Sequence, residues 1–158
     1  MRRSRTTGFM SDESKSYSFE YQRRVEFHET DLAGIVHFSN FYRYMETAEH
    51  EFMRSLGHPV HRQMAEAEIG WPRVSASCEF RKPARNDDIL VIRVSIDEIR
   101  TRSVRYGFRF YLDPADAPIA TGKVAVACVK FENGDISAVP IPDQIRSDLE
   151  AALAAARS

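Results

Sequence analysis

Between Glu26 and Asn40 runs EFHETDLAGIVHFSN, which places His28, Glu29, Asp31 and His37 within ten positions of one another. A carboxylate such as Asp31 can attack a carbonyl carbon or take a proton from water. A helical pattern begins just beyond it, and the first N–H groups of a helix are free, carry partial positive charge and suit an oxygen that turns negative. A loop carboxylate and a helix N-terminus together suffice to transfer an acyl group to water. Gly34 lets backbone approach a ligand closely. The plainer alternative for Asp31 is a turn cap assisted by Thr30. The four side chains match no zinc or iron ligand spacing, so neither a metal nor another cofactor is expected.

A strand must deliver this segment and a helix must carry it away. From Tyr17 to His28, Phe19, Tyr21, Arg23, Val25 and Phe27 share one parity against Glu20, Gln22, Arg24 and Glu26, which is the alternation of a half-buried strand. Phe41, Tyr44, Met45, Ala48, Phe52 and Leu56 then recur at helical spacing over Asn40–Leu56, with Ser39 or Asn40 as cap and Gly57 and Pro59 as stop. The opposite face carries Arg43, Glu46, Glu49, His50 and Arg54. Glu46 there pairs with Arg43 or His50, or else orients groups near Asp31.

After a connection over 58–70, further strand patterns cover Arg73–Arg81, Ile89–Ile99, Val104–Leu112 and Ile119–Phe131, with a turn at Asn133-Gly134 and a closing helix from about Asp143. Tyr106, Phe108 and Phe110 read as core. Short links between strands imply antiparallel pairing, and the long helix can bury its stripe only by lying across one sheet face. The fold class is α+β, one long helix wrapped by a curved antiparallel sheet of about five strands.

With 158 residues, 43% hydrophobic and 28% charged, the chain suits one domain, over 18–158. The basic start without an apolar core reads as a disordered tail over 1–17 rather than a leader. A net charge of -1 gives no bulk attraction to nucleic acid or anionic membrane. No apolar run approaches the roughly 20 residues of a membrane span. Cys78 and Cys128 lie in apolar alternating runs, as buried reduced thiols do, which favours the cytoplasm.

Arg24 to Gly57 resembles the signature segment of the 4-hydroxybenzoyl-CoA thioesterase family, through Asp31, Ala33-Gly34-Ile35-Val36 and Asn40. Phe80-Arg81-Lys82-Pro83-Ala84, on through Asp87 or Asp88 to Ile89, looks like that family's strand, Pro-Ala turn and next strand. The likeness spans about Phe19 to Phe131. It implies a hotdog fold assembled at least as a homodimer, with a homotetramer expected, sites at the subunit interface and an acyl-CoA or aromatic acyl-CoA substrate. It further implies that Asp31 attacks the thioester carbonyl or activates water, while the Phe38 N–H meets the thioester oxygen. Gly34, His37, Phe38 and Asn40 form the expected substrate-binding set; one family branch has histidine at the position of Phe38, so a role for His37 is not inherited.

Coenzyme A phosphates call for a local cationic cluster. Arg81, Lys82 and Arg85 are the candidates, with Arg100, Arg102 and Arg105 as the second choice. The competing enzyme class, a hotdog hydratase or dehydratase, pairs an aspartate with a histidine at four intervening residues, whereas Asp31 and His37 have five between them. A non-catalytic acyl-CoA-binding module would not need Asp31. The acyl group itself is not legible in the sequence.

Overall fold

A computed structural model describes residues 16–158. All but the last two residues of the expected tail over 1–17 lie outside the described residues. In chain order the elements are β1 (Phe19–Arg24), α1 (Phe38–Ser55), α2 (Val60–Ala67), β2 (Ile69–Gly70), β3 (Arg73–Phe80), β4 (Ile89–Ile99), β5 (Ser103–Tyr111), β6 (Ala120–Ala127), β7 (Val129–Glu132), β8 (Asp135–Ala138) and α3 (Asp143–Arg157).

The main sheet is antiparallel with strand order β1-β4-β5-β6-β3. Only β4, β5 and β6 form the expected run of neighbours. Strand β3 pairs with β6 instead of with its sequence neighbour β4, because the Arg81–Asp88 turn crosses from one edge of the sheet towards the other. Helix α1 lies across one face, burying Phe41, Tyr44, Met45, Ala48, Phe52 and Met53 against Tyr106, Phe108 and Phe110 of β5. Aromatic rings interlock there edge to face, with Phe41 at 5.2 Å from both Phe80 and Phe110. The helix sits close because Gly122 of β6 has no side chain: a Cβ at that position would come within 2.3 Å of the Met45 sulfur.

Several sequence expectations need correction. The first strand stops at Arg24, and a single 3-10 turn over Phe27–Glu29 turns Phe27 out to solvent and Glu29 inward. The 58–70 connection holds α2, whose Val60, Gln63, Met64 and Ala67 share one helical face. The expected strand Ile119–Phe131 is two strands broken at Cys128, and the second, β7, joins β2 and β8 in a separate three-stranded sheet. Strand β3 does not bury Val74, Ala76 and Phe80, since it is a sheet edge that α1 covers only in part.

Candidate active site

Asp31 sits on the loop between the 3-10 turn and α1, and that loop is closed on itself. The Asp31 N–H donates to the Ile35 carbonyl (2.8 Å), the Asp31 carbonyl accepts from the Gly34 N–H (2.9 Å), and Asp31 Oδ1 accepts from the Ala33 N–H (2.8 Å). Gly34 makes the reversal at φ 75°, a left-handed conformation that a side chain disfavours. One carboxylate oxygen, Oδ1, is thus used to shape the turn. Asp31 is exposed in the single chain.

Two neighbours fix the loop. On one side the Val36 N–H donates to the Ala84 carbonyl (2.8 Å), and Ile35 bridges to Arg85, which stitches the loop to the Pro83-Ala84 turn. On the other, the Glu29 carbonyl accepts from the His37 N–H (2.9 Å) and from Asn40 Nδ2 (2.8 Å). The helix N-terminus is therefore tied to the residue two positions before Asp31.

The helix begins at Phe38, and its cap is His37, not Ser39 or Asn40. His37 Nδ1 accepts from the Ser39 N–H at 3.3 Å and lies 2.7 Å from Ser39 Oγ, while the ring rests against Phe38 at 4.7 Å. An imidazole nitrogen within reach of the Ser39 N–H takes the place of the usual hydroxyl or carboxylate cap. Phe38 is the first helical residue, so its N–H has no acceptor within the helix.

An open cavity of about 420 Å³ lies at this end of the helix, lined by Asp31, Ile35, Val36, Phe38, Phe41, Phe80 and the Arg81-Lys82-Pro83-Ala84 turn. Of the residues singled out in the sequence, Asp31, Phe38, Arg81 and Lys82 line it. Gly34, His37, Asn40 and Arg85 do not, although each supports its wall: Arg85 Nη1 would lie 4.0 Å from a Cβ on Gly34. Phe38 and Phe80, which line the cavity, expose large apolar surface, as does Leu32 beside Asp31 in the chain. The second basic cluster is elsewhere, at the β4–β5 turn, where Arg100 and Arg105 pair with Glu98 and the Arg100 carbonyl accepts from Arg146 of α3.

Two buried carboxylates escape a reading by sequence motif. Glu29 accepts from the Glu26 N–H through Oε1 and from Arg23 Nη2 through Oε2, both at 2.8 Å. The Arg23 guanidinium lies 4.4 Å over the Tyr44 ring. The Tyr44 hydroxyl is buried without an aligned partner, and burial, then the nearby Glu29 charge, pushes its pKa upward. Glu49, placed on the polar face by its type, is buried, and Arg73 of β3 reaches both Glu49 (2.7 Å) and Glu46 (3.5 Å). Glu46 therefore pairs with Arg73, not with Arg43 or His50. Cys78 and Cys128 are free, and burial pushes both thiols up to about 11, well away from a reactive thiolate.

Residues 25–149 match the model of the thioesterase-like superfamily. A provisionally named esterase of Aquifex aeolicus (strain VF5) is 36% identical over 122 residues, 77% of this chain and 91% of that protein. The 4-hydroxybenzoyl-CoA thioesterase of Pseudomonas sp. (strain CBS-3) is 36% identical over 88 residues, 54% of this chain and 62% of that protein. The solved structure of a gentisyl-coenzyme A thioesterase superposes with a TM-score of 0.75 at 33% identity, covering 83% of this chain and 99% of the other.

Proposed function

The chain belongs to the thioesterase-like superfamily and has its hotdog fold, and from that membership we propose that it hydrolyses an acyl-CoA or aromatic acyl-CoA thioester to the free acid and coenzyme A. The observation that carries this reading is the shared cavity: one carboxylate, Asp31, and one helix N-terminus, at Phe38, line the same apolar recess beside two exposed cations. The acyl group would lie against Phe38, Phe41 and Phe80. The thioester oxygen would take the Phe38 N–H, where developing negative charge gains from the helix terminus.

Asp31 then acts by one of two routes with the same stoichiometry. Either its carboxylate attacks the carbonyl carbon, expelling the coenzyme A thiolate and leaving an acyl anhydride that water opens, or it takes a proton from a water that attacks directly. In both, water supplies the oxygen of the new acid and its proton reaches the thiolate. Arg81 and Lys82, which line the cavity, would meet the coenzyme A phosphates, with Arg85 behind them. Changing both lining cations to alanine should raise KM for a coenzyme A ester and leave KM for the phosphate-free pantetheine ester alone; equal effects on the two esters contradict the assignment.

The free edge of β3, with Val74 67% and Phe80 47% exposed, supports a homodimer paired along that edge, which would also wall the open side of the cavity. A homotetramer would be a dimer of such dimers. Among the described residues no helix is long and apolar enough to cross a membrane, and the two free cysteines suit a reducing cytoplasm.

The experiment is free-thiol release from benzoyl-, short-chain and long-chain acyl-CoA, run beside hydration of an enoyl-CoA. Thiol release with no hydration is expected. Hydration without thiol release would transfer the fold to the hydratase class, and binding with neither reaction would make it a non-catalytic module.

A further inference from the structure

We propose that Glu29 is a positioning residue that sets the distance between the Asp31 carboxylate and the N-terminus of α1; this rests on the hydrolase reading above. Glu29 is 7% exposed and belongs to neither a strand nor the long helix, yet three elements meet on it. Its carboxylate holds the 3-10 turn through the Glu26 N–H and β1 through Arg23, each at 2.8 Å. Its carbonyl holds the helix start through the His37 N–H at 2.9 Å and Asn40 Nδ2 at 2.8 Å. Arg23 in turn lies over Tyr44, one turn further along the helix from Asn40.

The chain leaves this node in the direction of Asp31, two residues on, and returns to it at His37, one residue before Phe38. The two groups that the reaction needs in register, a carboxylate and a backbone N–H, are thus both referred to one buried residue, whose carboxylate anchors the turn to β1 and whose carbonyl holds the helix start, and which lines no part of the cavity. Both oxygens have a directed donor, so the carboxylate fixes geometry rather than merely balancing charge. With the charge removed, Arg23 loses its acceptor, the turn loosens, and Asp31 shifts against Phe38. A shift of about 1 Å in such a pair costs on the order of 10²-fold in rate.

The test is Glu29→Gln, which keeps an oxygen for the Glu26 N–H and removes the charge that Arg23 answers. Should that variant not fold, Arg23→Met breaks the same pair from the other side. Two readings are taken: kcat and KM for the best thioester, and amide hydrogen exchange across residues 31–38. The expected result is a fall in kcat of about tenfold or more with KM nearly unchanged, together with faster exchange across 31–38 and unaltered exchange in β4 and β5. Wild-type kcat, or lowered kcat with unaltered exchange at 31–38, overturns the proposal. If the wild type releases no thiol from any thioester, it is the hydrolase reading that fails, and the exchange measurement still decides whether Glu29 holds the loop.

Discussion

Glu29 and Glu49 are both buried carboxylates answered by an arginine, 7% and 2% exposed, but their oxygens are treated differently. Each oxygen of Glu29 receives a directed donor at 2.8 Å, one of them a backbone N–H. Glu49 Oε2 lies 2.7 Å from Arg73 Nη2 without an aligned hydrogen bond, and Oε1 accepts from Arg73 Nη1 only at 3.5 Å. Burial pushes the Glu49 carboxyl up to about 7 against the opposing pull of Arg73, with Glu46 adding to the rise. Short directed donors on both oxygens fix where an atom is, whereas a charge contact with one long hydrogen bond fixes mainly that two elements stay together. The first pair is built to hold the Asp31 loop in register, and the second ties the middle of α1 to the sheet edge at β3.

That contrast breaks most visibly if Glu49 is truncated. Glu49→Ala should cost about 2 to 3 kcal/mol of stability, below the fully buried case because the Arg73 side chain keeps 28% of its surface exposed. Turnover per folded molecule should stay at the wild-type level. Glu49→Leu combined with Arg73→Met should recover most of the loss, since it removes both charges together. Urea titration with parallel rate measurement separates the two effects; lost turnover in folded Glu49→Ala would erase the distinction between the pairs.

The pH dependence sharpens it further. The folded Glu49 carboxyl titrates near 7 against 4.5 for a free one, so its contribution is complete below 4.5 and is lost as pH rises through 7. His50 on the same helix runs the other way: burial, then Arg73, lowers its pKa from 6.5, so its contribution is complete above 6.5 and is lost as pH falls. Between about pH 5 and pH 8, Glu49→Gln should therefore lose less stability than the wild type. Melting curves across that range check this, and parallel curves for the two proteins contradict it.

The smallest expected effect lies at the other pair. Asn40→Ala removes one side-chain bond to the Glu29 carbonyl and should cost about 1 kcal/mol, with a modest fall in kcat. An effect on KM alone would make Asn40 a substrate contact rather than part of the support.

The helix and the core strands were legible because each rests on local pattern: helical spacing from Phe41 to Phe52 and alternation in Ile89–Ile99; Asp31 stood out only through the family resemblance of its segment, since a lone loop carboxylate ahead of a helix reads as readily as a turn cap. Strand order was not, because β3 finds its partner β6 some forty residues later and no local signal names it. Glu49 carried a readable clue, since it lies four residues after Met45 and three before Phe52, on the same face as both, but its charge argued for solvent. Glu29 carried half of one, in the E-x-x-E spacing with Glu26 that closes a capping box. Its other partners, Arg23 and the returning helix, exist only in three dimensions. His37 displaced the expected cap because an imidazole nitrogen can reach the Ser39 N–H, a use that propensity ranks low.

Asp31 is proposed to do the chemistry rather than merely to shape its turn. The direct measurement is kcat for Asp31→Asn on the best thioester, beside the affinity of the same variant for a non-hydrolysable analogue. Asparagine keeps an oxygen for the Ala33 N–H, so the loop should hold and binding should stay close to wild type, while turnover falls by about 10³-fold or more. Turnover within tenfold of the wild type in a variant that still binds the analogue would contradict the account and return Asp31 to the role of a turn cap.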